Sequence, residues 1–345
     1  MNDHTESEVI VYHDDTRKAG NDKLNGHILL FVPHSVSITQ TGTLFGPIKE
    51  TTQSWQTLAR EILRLREQFQ ANHKFHFKSI SGKKWNKYNQ AEKRFVELGV
   101  DALRSKKTKY FPNPLHCKMA VIFFPNPVPS NLEFYGGEDK REKQLRFMET
   151  LLRMLLKGAI HYLYSTNHKV RISKIITDGQ PYHRRLSEER VLWRLIKQQL
   201  IDEVRLYATI RLDSEIIHLP SDHKMFSPES EDYFHANMLQ LADMLLGSTV
   251  QSCLKGIVWE SVNPRTGQKV NDKKSIIAFP VKEMLDKRKR GKNFRHSGHY
   301  RSFTISKAYI KDQQWQFENI LTQDLKIDAC TGQINLFEFC VKGEQ

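Results

Sequence analysis

Apolar residues along the chain fall alternately into short continuous runs and helical stripes. Glu8–Asp14 (EVIVYHD) is a run of strand length ending in acids, and Gly26–Pro33 (GHILLFVP) is a second. The turn-rich stretch Thr16–Asn25 between them predicts a hairpin with a long connection, and Ser35–Leu44 is a candidate third strand. Trp55, Leu58, Ile62, Leu65 and Phe69 recur at spacings of three and four, which predicts a helix over Thr51–Gln70. An extended segment at Phe75–Ile80 and a polar helix over Lys83–Leu103 follow. Beyond them the pattern predicts a strand at Cys117–Phe124, a long helix at Lys140–Tyr164 and a strand at Val170–Thr177 stopped by Asp178-Gly179. A helix at Leu186–Leu200, a strand at Glu203–Leu212 and a helix at Tyr233–Cys253 complete the alternation.

After Leu254 the character changes. Asn263-Pro264 and Thr266-Gly267 mark turns, Lys282–Arg301 carries eight Lys/Arg against two acids, and a β-like tail spans Gln333–Val341. A boundary near 255 therefore divides residues 1–255 from a basic extension or small subdomain, 256–345. Strands first, then strands alternating with helices, predict an α/β fold: a mixed central sheet with helices on both faces, plus a C-terminal α+β extension.

Composition narrows the function classes. The 345 residues carry 53 Lys/Arg against 39 Asp/Glu, a formal charge of +14, so a polyanionic partner is expected. No run of about 18 apolar residues exists to span a membrane, and the N-terminus lacks the layout of a secretory signal, so a soluble cytoplasmic protein is expected. Cys117, Cys253, Cys330 and Cys340 are scattered without zinc spacing and read as small apolar residues. GxxxxGK, RNP and GxSxG patterns are absent, which argues against nucleotide-driven motors and serine hydrolysis.

The informative acids stand at element ends. Asp14 and Asp15 close the first strand, and Asp178 closes another in KIITDGQ. Asp243 interrupts the apolar helix MLQLADMLLG, where Gln240, Asp243, Gly247 and Gln251 share one edge stripe. An acid among core residues is costly unless something neutralises it. Three such acids meeting on rigid elements suit Mg²⁺ or Mn²⁺, and two such ions can grip the attacking and leaving oxygens of a phosphodiester. The alternative is that each Asp merely opens a turn after its strand.

VIVYHDDT (9–16), KIITDGQ (174–180), LDSE (212–215) and MLQLADMLLGS (238–248) together resemble the bacterial family called domain of unknown function 3800. The resemblance spans about residues 8–255, and Leu239–Gly247 is its most specific part. It implies a ribonuclease-H-like fold with a central five-stranded sheet, and Asp14, Asp178 and Asp243 as metal-binding, catalytic carboxylates of a nuclease acting on DNA or RNA. It also implies a place among mobile-element or antiviral-defence accessories. One departure stands out: the acid of the family's acid-aromatic-His-aromatic segment is Lys74 here, in Lys74-Phe75-His76-Phe77. That departure supports the alternative of a catalytically inactive nucleic-acid-binding subunit working with a protein partner. A third reading is a basic scaffold whose aspartates are only structural.

Several residues are candidates to support the site, each with a plainer reading. Asp15 can replace Asp14, since neighbouring strand residues face opposite sides. Glu61 is either a helix-borne acid of the site or solvent-exposed beside Arg60 and Arg64. His76, His183, His235, Gln240, Asp213 and Glu215 either approach the site or serve locally as core, helix-start or surface groups. For the polyanion, Lys74–Lys109 holds eleven Lys/Arg with interleaved aromatics. Lys78, Lys83 and Lys84 there, with Arg288, Arg290, Lys292 and Arg295 in the second basic tract, are the candidate phosphate contacts; the alternative is a solvated face.

Overall fold

Val9 and Val11 are buried against one layer of helix while Ile10 and Tyr12 are buried against another, so the first strand is apolar on both faces and must lie inside the sheet. The computed structural model describes residues 4–19, 24–40, 48–52, 54–81, 85–125, 140–164, 168–178, 209–212, 216–257, 260–262, 269–289, 302–311 and 314–319.

Strand β1 (His4–Ala19) pairs antiparallel with β2 (Leu24–Gln40) and parallel with β5 (His168–Asp178). Beyond β2 lie β4 (Lys118–Pro125), β10 (Phe303–Lys311) and β11 (Gln314–Asn319); beyond β5 lies β6 (Thr209–Leu212). Two short strands branch off, β3 (Ile48–Thr52) beside β2 and β7 (Ile216–Leu219) beside the second half of β5. Among the described residues the result is a nine-stranded mixed sheet. A separate ribbon joins β8 (Glu260–Val262) to β9 (Lys269–Asn271).

Helices cover both faces, as the alternation predicts. One face carries α3 (Lys140–Leu163), whose Phe147, Leu151, Leu155 and Ile160 pack on Val9, Val11, Leu29 and Phe31. The other carries α1 (Ser54–Phe69), α2 (Lys87–Ala102), α4 (Glu231–Val250) and α5 (Lys273–Lys289) around Ile10, Tyr12, Ile28 and Ile176. Helix α4 is buried nearly all round, so its apolar residues are not confined to one stripe and its buried polar groups, Asn237 and Gln240 among them, are hydrogen-bonded.

Three elements differ from the sequence pattern. Helix α2 is a core helix, with Ala91, Phe95, Val96, Leu98 and Val100 buried, because its charges pair among themselves on the outer side: Glu97 accepts from Lys93 at 2.6 Å and from Arg94 at 2.7 Å. Segment 75–80 is not fully extended; it closes into a 3-10 turn at Phe77–Ser79. The stretch beginning at Ser35 continues β2, and the separate short strand lies later, at Ile48–Thr52. The helix predicted at 186–200 and the tail at 333–341 lie outside the described residues.

Past residue 255 the chain returns to the same sheet through β10, parallel to β4. Ile277, Val281, Leu285, Phe303 and Ile305 join the same apolar cluster as α1, α2 and α4. Cys117 is a free thiol, and burial pushes it up to about 12, as expected for an inert core residue. Among the described residues no helix is long and apolar enough to cross a membrane.

Candidate functional site

Asp178 ends β5, but Asp14 and Asp15 do not close the first strand as its sequence pattern predicts. Strand β1 runs on to Ala19 along β2, and Asp14 stands just past the stretch of β1 that pairs with its parallel neighbour β5. The last paired rung between them is His13↔Thr177, so Asp14 and Asp178 stand one residue further along, on the side of the sheet that faces α4. Parallel strands are the ends at which open α/β sheets place their ligand sites. Asp14 is 5% exposed and shares its face with Ile10 and Tyr12, so it is Asp14, not Asp15, that points into this layer. Burial, and then the negative charges of Asp243, Asp178 and Asp15, hold the Asp14 carboxyl well above the usual carboxylate range. Among the described residues the Asp15 backbone N–H offsets this, donating to Oδ1 at 2.9 Å. Asp14 therefore feels the two other acids singled out in the sequence across a low-dielectric layer.

Asp243 reaches this layer from the middle of α4. The stripe Gln240–Asp243–Gly247 grips the segment after α1 much as a neighbouring strand would. Phe75 N–H donates to Gln240 Oε1 at 2.8 Å, and Phe77 N–H donates to Asp243 Oδ2 at 2.7 Å. His76, between them, lies with Nδ1 3.0 Å from Asp243 Oδ1 while its ring stays 42% exposed. One carboxylate thus fixes both a backbone turn and a partly exposed imidazole beside the acid cluster. Gln240 Nε2 continues the network, donating to Ser221 O at 2.6 Å, and Ser221 N–H donates to Asp178 Oδ1 at 3.2 Å. Gln240 is therefore the bridge between the Asp243 and Asp178 sides of the site.

Arg66 holds this arrangement from below and was not among the sequence candidates. It is 4% exposed; Nε donates to Asn237 Oδ1 at 2.6 Å, Nη2 to Gln240 Oε1 at 2.7 Å, and Nη1 to the carbonyls of Ala71 and His73 at 2.7 and 3.1 Å. Its guanidinium carbon lies 4.4 Å from the Phe75 ring centroid, and burial lowers its pKa to about 10. The signal was legible: Arg66 stands four residues after Ile62 and three before Phe69, on the apolar stripe of α1.

The remaining candidates divide. Glu61 pairs with Arg64 of its own helix at 2.5 Å and is half-buried rather than solvent-exposed. His235 is buried under β1 in a separate chain of contacts: Trp55 Nε1 donates to Tyr12 Oη at 2.8 Å, Tyr12 Oη lies 2.8 Å from His235 Nδ1, and His235 Nε2 lies 3.1 Å from Glu231 Oε1. Lys74 and Lys78 are exposed. Arg288 belongs to α5. His183, Asp213, Glu215, Lys83, Lys84, Arg290, Lys292 and Arg295 lie outside the described residues.

In donor type, a cluster of carboxylates on rigid elements fits a hard divalent cation. In geometry it is not a finished cage: among the described residues no three His, Cys, Asp or Glu side chains are grouped to hold a metal ion. Asp243 has one oxygen on Phe77 N–H and the other on His76. Comparison with protein-family models, with curated proteins and with solved structures gives no match.

Proposed function

We propose that the chain is a metal-dependent nuclease that hydrolyses phosphodiester bonds of DNA or RNA, with Asp14, Asp178 and Asp243 as the metal-binding acids. The observation that carries this reading is the buried Asp14 carboxyl, raised by burial and by the charges of Asp243 and Asp178. Like charges gathered in a poorly solvated layer are unfavourable by themselves, and a bound cation is the simplest group that relieves them. The five strands β4-β2-β1-β5-β6, with Asp14 just past the parallel pairing on the central strand and Asp178 at the end of its neighbour, support a ribonuclease-H-like reading.

A bound Mg²⁺ or Mn²⁺ would supply an activated water and neutralise charge on the phosphodiester. Asp14 and Asp178 would provide oxygens from adjacent rigid strands, and Asp243 would provide one from α4. His76 orients the Asp243 carboxylate through its Nδ1 contact, and the Phe77 N–H limits that carboxylate's rotation. The excess of basic residues favours approach of a polyanion. Incubation with single- and double-stranded DNA and RNA plus Mg²⁺ or Mn²⁺ tests this. Cleavage should appear, and it should vanish in Asp14→Ala and in Asp243→Ala; cleavage retained in both variants ends the idea.

One observation favours the second reading, a nucleic-acid-binding subunit without catalysis: Asp243 is committed to His76 and Phe77, leaving no ready cage. That reading expects salt-sensitive binding unaffected by chelator and no turnover with either ion.

A further inference from the structure

We propose that Lys78, Lys255 and Lys274 form a phosphate-binding subsite that seats the backbone of a nucleic-acid strand beside the carboxylate cluster. The proposal rests on the nucleic-acid reading above and deepens it by giving the strand a place on the molecule.

Lys78 and Lys274 come from two segments that meet at Phe77, and Lys255 comes from a turn tied to the start of α5, where its charge acts on Lys274. Lys78 follows Phe77 in the 3-10 turn, Lys255 ends the π-helical turn Gln251–Lys255 after α4, and Lys274 opens α5. Lys274 Nζ donates to the Lys78 carbonyl at 3.3 Å and lies 5.8 Å from the Phe77 ring centroid. Phe77 itself is bound to Asp243 through its N–H, so the ammonium group stands one side chain away from the acids. The neighbouring Lys273 fixes the start of α5: its Nζ donates to Asn89 Oδ1 at 2.8 Å and to Ser81 O at 3.2 Å. Gln251 Nε2, 3.3 Å from Ser275 Oγ, ties the π turn to the same place.

None of the three ammonium groups forms an ion pair among the described residues, whereas Lys93, Lys174 and Lys282 elsewhere are each held by a carboxylate. Burial, and after it the charges of Lys255 and Lys78, lower the Lys274 pKa, against which Asp272 is the one opposing charge. Two lysines in the first turn of α5, with no acid there, also oppose the helix dipole. Stability alone does not explain cations gathered in this way; a visiting anion does. A polymer of repeated phosphodiesters fits best, because the lysines would hold several of its phosphates while Asp14, Asp178 and Asp243 would hold a divalent ion for one more.

The test is binding of a short labelled single-stranded oligonucleotide, followed by fluorescence anisotropy in EDTA so that cleavage plays no part. The triple variant Lys78→Gln/Lys255→Gln/Lys274→Gln, with an unchanged melting temperature, should bind at least about tenfold more weakly. Its slope of log affinity against log salt should fall by about 2, since each phosphate contact on a single strand contributes ~0.7. Lys93→Gln, which removes an ion-paired lysine of α2, should bind like the parent. The single variant Lys78→Gln should show a smaller loss of the same kind. Equal affinity and slope in parent and triple variant overturn the subsite. So does a loss seen on phosphatidylserine vesicles or polyglutamate but not on the oligonucleotide. If the lysine effect is present and no cleavage occurs with Mg²⁺ or Mn²⁺, the nuclease reading falls and the subsite stands; cleavage with no lysine effect gives the reverse.

Discussion

Gly247 of α4 lies so close under Phe77 that a Cβ on the glycine would stand 2.2 Å from Cγ of the ring. The missing side chain is what lets the His76-Phe77 turn come down onto the helix one turn from Asp243, so that Phe77 N–H reaches the carboxylate. Gly247→Ala should therefore lift the turn. We expect a stability loss of ~1–3 kcal/mol, the usual cost of overpacking, together with loss of the proposed cleavage. Urea unfolding and an activity assay check both, and a variant that keeps full stability and activity would contradict the role given to this glycine.

Arg66 makes the same turn rigid from the other side. Removing it leaves Gln240 Oε1 and the carbonyls of Ala71 and His73 without a donor they now share. Arg66→Ala should cost ~3–5 kcal/mol, since several buried acceptors lose their partner at once. Arg66→Lys should rescue only part of this, because one ammonium cannot replace the fork of donors that spans Asn237, Gln240 and two carbonyls. Equal stability of Arg66→Lys and parent in chemical unfolding would show that the fork is dispensable.

Much of this site was legible in the sequence, for definite reasons. Asp14 and Asp178 could be found because both close an apolar run, although β1 itself continues to Ala19, and Asp243 because it interrupts an apolar helix. The edge stripe Gln240–Asp243–Gly247 follows from helical geometry alone, and it is the stripe that grips residues 75–77. What the stripe touches was not legible, because a contact between α4 and a loop some 165 positions earlier depends on tertiary packing. The burial of α2 was missed for a related reason: its charged residues dominate the composition, while the ion pairs that keep them to one side appear only in three dimensions. Lys255 and Lys274 sit outside the dense basic tracts, so counting charge along the chain did not mark them.

Acid should weaken the fold through two buried histidines. Burial, then the positive charge of Arg66, lowers His223 to about 4, and burial also lowers His235. Both are depressed below their unfolded value of ~6.5, so their contribution is fully present above that pH. It is lost as pH falls through the folded values, by at most roughly 3 kcal/mol for His223. The urea midpoint should therefore drop between pH ~6.5 and ~4, and His223→Gln should flatten part of that drop. A midpoint that holds constant across this range would remove both histidines from the account.

Asp14 works in the opposite direction, and this separates a binding site from an ordinary structural acid. Its folded pKa is raised by burial and by Asp243, Asp178 and Asp15. The stability it offers is thus fully present below the unfolded value of ~4 and is lost as pH rises through the folded value. Asp14→Asn keeps the shape and removes the charge, so in EDTA it should melt higher than the parent, with a gap that widens as pH rises above ~4. Added Mg²⁺ or Mn²⁺ should reverse the order by binding the parent, which gains about 2.7 kcal/mol at a hundredfold excess over Kd while the variant gains little. A structural acid held by ordinary hydrogen bonds would show neither effect: its replacement would lower the melting temperature at every pH above its own titration, with or without the ion. Differential scanning calorimetry of parent and Asp14→Asn across pH, with and without divalent ion, distinguishes the two. A variant that melts below the parent in EDTA at pH ~8 would mean that the Asp14 carboxyl is satisfied in the apoprotein and has no need of a cation.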